Sequence, residues 1–143
     1  MKLSRIIAVV AHPITLSGAA LLSVAATRKG GLATRFAIGL PLGVLVSKAI
    51  KRAYPRRKPR LLTLTPRESM PSGHATATTT FALAFVDAYD AWRAAPIALA
   101  GAVFVDGCRL YDREHRVSEL LIGNAIGIAA AATASLVARS LRP

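Results

Sequence analysis

The sequence predicts an all-α, polytopic membrane helix bundle with about five transmembrane helices, and three observations carry that expectation. Apolar residues make up 53% of the 143 positions and gather into long runs. Short clusters of charge, Pro and Gly separate the runs. No period-2 alternation persists long enough for a barrel strand, and within lipid only helices and closed barrels satisfy their backbone polar groups. At this length a single domain covering residues 1–143 is expected.

The first run, 6–26, follows Met1-Lys2-Leu3-Ser4-Arg5. A basic start before an apolar stretch resembles a signal peptide, but Ala25-Ala26-Thr27 offers only a weak cleavage site, so the segment is read as a retained first span. The second run, 33–50, is bracketed by Arg35 and Lys48; the third, 75–92, carries Asp87 and Asp90 late; the fourth, 94–110, carries Asp106 late; the fifth is 120–138. A span needs ~20 residues and tolerates ~17. Charged side chains near the ends of such runs can snorkel to the interface. Abundant Ala and few aromatics favour helices that approach closely through small residues.

A formal net charge of +12 is common among nucleic-acid binders, but those keep a soluble core and a charged face. Here apolar runs alternate with basic clusters, so the expected partner is a lipid bilayer and not nucleic acid. Cys108 is the only cysteine, which excludes an intrachain disulfide and a multi-cysteine zinc site. With five spans, the polar connections 51–72 and 109–119 share one membrane face, while the links near 27–31 and 92–93 lie on the other.

Three elements on the shared face bear chemistry. Lys51 is followed by Lys58-Pro59, within a connection also holding Arg52, Arg56, Arg57, Arg60 and Arg67. These cations suit a dianionic phosphate; equally, a polybasic patch beside a membrane is attracted to anionic headgroups. Pro71-Ser72-Gly73-His74 directly precedes the third run. Ser72 can cap a helix whose first-turn N–H groups bind phosphate with His74 beside the anion, or it can be a cap and nothing more. Arg109, His115 and Glu119 form the last element. If 115–119 is helical, His115 and Glu119 share a face, and a carboxylate on one imidazole nitrogen leaves the other free to attack phosphorus. The plainer alternative is that His115 and Glu119 are a surface ion pair on a juxtamembrane helix, surrounded by Asp112, Arg113, Glu114 and Arg116, which look solvated. Arg109 can offer the same phosphate a planar fork of donors. Asp106 either orients Arg109 or is a boundary charge. His12-Pro13 is read as a kink or an interfacial histidine. Asp87 and Asp90, about 20 Å along a helix from His74, are expected at the opposite interface, binding nothing.

In order and spacing the three elements resemble the type-2 phosphatidic acid phosphatase family, which also includes haloperoxidases and acid phosphatases. The family pattern is Lys, six residues, Arg-Pro; then Pro-Ser-Gly-His; then Ser-Arg, five residues, His, three residues, Asp. This chain has Lys51 and Lys58-Pro59; Pro71-Ser72-Gly73-His74; and Cys108-Arg109, His115 and Glu119, with Tyr111 and Gly123 also fitting. The likeness covers roughly 48–127. It departs at Lys58, Cys108 and Glu119, where the family has Arg, Ser and Asp. Lys58 keeps charge but loses bidentate geometry, Cys108 is a weak donor, and Glu119 carries its carboxylate on a longer arm.

The resemblance implies a lipid phosphatase in which His115 attacks phosphorus to form a phosphohistidine, Glu119 orients it and His74 protonates the leaving oxygen. It implies that Lys51, Lys58, Ser72, Gly73 and Arg109 bind the phosphate, and that no metal or other cofactor is needed. The substrate expected is a phospholipid or polyprenyl-phosphate lipid, including phosphosugar lipids with a terminal phosphate. The expected location is a cell membrane of the bacterial inner-membrane kind, as a multi-pass protein. A catalytically silent lipid-phosphate-binding protein is the alternative. The membrane face of the site stays open, because phosphate binding explains many of the basic residues that the positive-inside rule would count.

Overall fold

The computed structural model describes residues 30–54 and 70–141, together with 15, 16, 18, 19 and 22. Four long helices fill this region: α1 (Gly30–Ala53), α2 (Gly73–Ala88), α3 (Ala95–Tyr111) and α4 (Val117–Ser140). A 3-10 turn, Trp92–Ala94, joins α2 to α3. The described residues contain no strand. α1, α2 and α4 pack against one another, and α3 rests on α2.

Three segments are long and apolar enough to cross a membrane: Gly31–Ala53, Trp92–Tyr111 and Val117–Ser140. They match the expected second, fourth and fifth runs. The third run forms a shorter helix than expected, because α2 has 16 residues and extends only about 24 Å at 1.5 Å per residue. Its stop is local. Asp90 adopts φ 53° after the cap residue Tyr89, and the Ala91 N–H closes back on the Val86 carbonyl at 2.9 Å. That is the left-handed turn which ends helices, here made without the usual Gly. Most of the first run, including His12 and Pro13, lies outside the described residues, as does Lys58.

Two kinds of packing hold the bundle. Toward the start of α2, small residues let backbones approach. A Cβ on Gly123 would lie 2.6 Å from the Ser72 carbonyl, and one on Gly127 would lie 2.7 Å from that of Thr76. Hydroxyls fill the seam: Thr76 reaches the Gly123 carbonyl at 3.0 Å and Thr80 that of Gly127 at 3.2 Å. Across the other side, the Ser47 and Thr76 hydroxyls bond at 3.1 Å. Interhelical hydroxyl bonds and small residues are what helices use where lipid supplies no hydrophobic drive to associate.

Toward the far end, Leu32, Phe36, Leu40 and Ala84 form an apolar cluster with Phe81 and Tyr89 against it. Phe36 stacks on Phe81 with ring centroids 5.0 Å apart, and Phe85 on Tyr89 at 4.6 Å. Asp87 closes this end. One of its oxygens accepts from Arg35 of α1 at 2.6 Å, the other from Arg139 of α4 at 2.6 Å. Asp87 thus lies away from His74 as the sequence suggests, but it does not bind nothing: it clamps three helices. Arg35 does not snorkel either, being 1% exposed. Outward faces remain apolar, with Ile97, Val103 and Phe104 of α3 and Leu121, Ile128 and Leu136 of α4 exposed. Such faces suit hydrocarbon as the surrounding solvent.

Candidate active site

Helix direction alternates along the chain, so α1 ends, α2 begins, α3 ends and α4 begins at one end of the bundle. Lys51 is in the last turn of α1, Ser72 caps α2, Arg109 is in the last turn of α3 and Glu119 is in the first turn of α4. Two bonds lock this convergence. The Ser47–Thr76 contact joins the last turns of α1 to the first turn of α2, and the Ser72 N–H donates to the Glu119 carbonyl at 3.0 Å.

Residues 115–119 are not one helical stretch, so the shared helical face on which the sequence reading made this pairing conditional is absent. His115 lies in the bend before α4, and Arg116 is the N-cap, with extended backbone at φ −96°, ψ 157°. Glu119 still reaches the ring, because a Glu in the third position of a helix bends back over the helix start. Its Oε2 accepts from the Arg116 N–H at 3.1 Å and lies 3.1 Å from His115 Nδ1. Both side chains are buried, His115 at 4% exposure and Glu119 at 1%. A buried carboxylate at Nδ1 selects the tautomer with hydrogen on that nitrogen and leaves a lone pair on Nε2. At this departure from the family pattern, one Glu oxygen serves both the ring and the helix start.

Ser72 is fully buried, and its hydroxyl accepts from the Ala75 N–H at 3.4 Å. Its side chain therefore works first as a helix cap. Among the described residues outside its own helix and chain neighbours, no atom lies within 4 Å of where a Cβ on Gly73 would stand. The start of α2 thus offers outward N–H groups and the positive end of a helix dipole to an anion. His74 is half-buried beside it, as is Lys51 at the end of α1.

Arg109 is buried and bridged to Glu114. The turn after α3 makes this pair: Arg113 adopts φ 53° and the Glu114 N–H donates to the Arg109 carbonyl at 3.0 Å. Asp106, one turn earlier, accepts from Asn124 at 2.6 Å, and Asn124 in turn accepts from Thr79 at 2.7 Å, so α2, α3 and α4 are tied by one polar chain. Asp106 Oδ1 and Arg109 Nε are buried without a hydrogen-bond partner among the described residues. Asp106 is therefore an anchored interhelical group and not a boundary charge. Sequence reasoning missed Asn124, which lies inside an apolar run, and took Glu114 for a solvated residue; only the helix-ending turn, unmarked by Gly, brings Glu114 onto Arg109.

The apolar cleft of about 500 Å³ lined by Leu83, Leu99, Ile128 and Leu136 lies at the Asp87 end and contains none of these residues. Cys108 is a half-buried free thiol.

The model of one protein family, described as the PAP2 superfamily, matches residues 32–142. Comparison with curated proteins and with solved structures gave no match.

Proposed function

Because the chain belongs to the PAP2 superfamily, whose members are generally phosphatase-like, we propose that it is a membrane lipid phosphatase acting on the terminal phosphate of a phospholipid or polyprenyl-phosphate lipid. The observation that carries this reading is the buried Glu119–His115 pair at 3.1 Å, tied through the Glu119 carbonyl to the capped start of α2.

In this mechanism Nε2 of His115 attacks phosphorus, and the bond from phosphorus to the lipid oxygen breaks. His74 gives its proton to that leaving oxygen. Glu119 stabilises the positive charge that develops on the His115 ring. Water then attacks the phosphohistidine, His74 takes the proton from that water, and inorganic phosphate leaves. Lys51, Lys58 and Arg109, with the N–H group of Gly73 at the start of α2, stabilise the charge spread over the phosphoryl oxygens. No step needs a metal. The apolar outer faces of α3 and α4 support a lipid substrate, whose tails stay in hydrocarbon while the headgroup meets the helix ends.

Hydrolysis of short-chain phosphatidic acid and of a chromogenic phosphate ester by the detergent-purified protein tests the reading. Turnover that survives a chelator and is lost in His115→Ala is the expected result. No turnover across phospholipid and polyprenyl phosphates, with phosphate binding retained, would instead make the chain a silent lipid-phosphate binder.

A further inference from the structure

Glu114 stands on the solvent side of Arg109. Its side chain is 38% exposed against 7% for the arginine, and the two are joined as an ion pair. The backbone enforces the arrangement, since Arg113 in the left-handed region folds the Glu114 N–H onto the Arg109 carbonyl at 3.0 Å. One turn before Arg109 on the same helix, Asp106 accepts from Asn124 at 2.6 Å. Arg109 Nε has no partner among the described residues, so the guanidinium fork is only partly used. Of the two paired groups, the Glu114 carboxylate is the one more exposed to solvent.

We propose that Glu114 is a specificity-determining residue, an internal carboxylate competitor that yields Arg109 to a doubly charged phosphomonoester and withholds it from singly charged phosphodiesters. The inference rests on the reading of Arg109 as a phosphate ligand. A terminal phosphate carries about −1.5 to −2 near neutral pH, whereas a phosphodiester carries a single charge. Carboxylate and phosphate oxygens compete for the same planar donors. Exchange of Glu114 for a phosphodiester swaps one monoanion for another and gains little. A dianion gains a second charge against the same cations, enough to push a half-exposed carboxylate into water. Phosphodiester headgroups surround any site at a phospholipid membrane surface, so an uncovered arginine would be occupied by them. Selectivity between such chemically similar ligands needs a repulsive element as well as an attractive one.

The test uses the full chain in detergent micelles. Equilibrium binding of radiolabelled inorganic phosphate is measured for wild type, Glu114→Gln, Glu114→Ala, Arg109→Gln and the Arg109→Gln/Glu114→Gln double variant. Turnover of short-chain phosphatidic acid is then followed as phosphatidylglycerol, a phosphodiester lipid, is added. Both Glu114 variants should bind phosphate roughly three- to tenfold more tightly, as expected for release of a partly exposed ion pair. They should also show a lower KM and become inhibited at phosphatidylglycerol contents that leave wild type unaffected. In the double variant the gain should vanish, because the competitor has nothing left to cover. Unchanged or weaker phosphate binding in both Glu114 variants, with no added inhibition, overturns the competitor role. If Arg109→Gln binds phosphate as wild type does, the reading of Arg109 itself fails, and that outcome is distinct.

Discussion

The two ends of the bundle are built by opposite means. At the end bearing Lys51, His74, Arg109 and His115, helices meet through Gly, Ala and hydroxyl groups, and charged side chains gather at the helix ends. At the other, Phe36, Phe81, Phe85 and Tyr89 stack and one buried carboxylate clamps two arginines. Large rings fix helix positions by volume. Small residues fix them by backbone contact, which brings the ends of four helices together. The difference teaches that the ring-and-ion-pair packing and the proposed chemistry sit at separate places, and substitutions at the two ends should tell them apart.

The largest effect is expected from His115→Ala, which should cut turnover per folded molecule by at least about 1,000-fold. Asp87→Ala should act on stability instead. It leaves buried Arg35 without its counter-charge and should cost about 3–5 kcal/mol of stability, read by thermal or denaturant unfolding, with turnover per folded molecule retained. Glu119→Asp restores the residue more usual in the family but shortens the arm that serves both His115 and Arg116. It should lower kcat on the order of 100-fold with KM little changed, and a kcat at or above wild type would refute the double role of the oxygen. Gly127→Ala places a methyl against the Thr76 carbonyl and should cost about 1–3 kcal/mol, a loss that Gly73→Ala, which meets no such atom among the described residues, should not reproduce. The smallest effect, and the only gain, is expected at Asp90→Gly, which relieves the left-handed residue ending α2 and should stabilise by about 0.5–1 kcal/mol in the same unfolding measurement.

Much of this was legible in the sequence, and the misses share a cause. The second, fourth and fifth apolar runs became helices long enough to span, because the length of an apolar run is a property of the chain itself. The convergence of Lys51, Ser72, His74, Arg109, His115 and Glu119 followed from alternation of direction. What stayed hidden depended on turns and on partners far apart in sequence. Asp90 and Arg113 end helices in a conformation that Gly normally marks, so neither stop was visible. Arg35 and Asp87 are 52 positions apart, and each alone reads as an interfacial charge. The sequence pairs Glu119 with His115 only along a shared helical face, yet the carboxylate reaches the ring by bending back over the helix start.

That bend has a further consequence. Because Oε2 of Glu119 holds both the Arg116 amide and the His115 ring, ordering of the first turn of α4 and aiming of the proposed nucleophile form one cooperative event. The ring cannot be set while the helix start is frayed, and fraying releases the ring. The exchange rate of a single backbone amide, that of Arg116, should therefore report how much of the population is poised for chemistry at any moment.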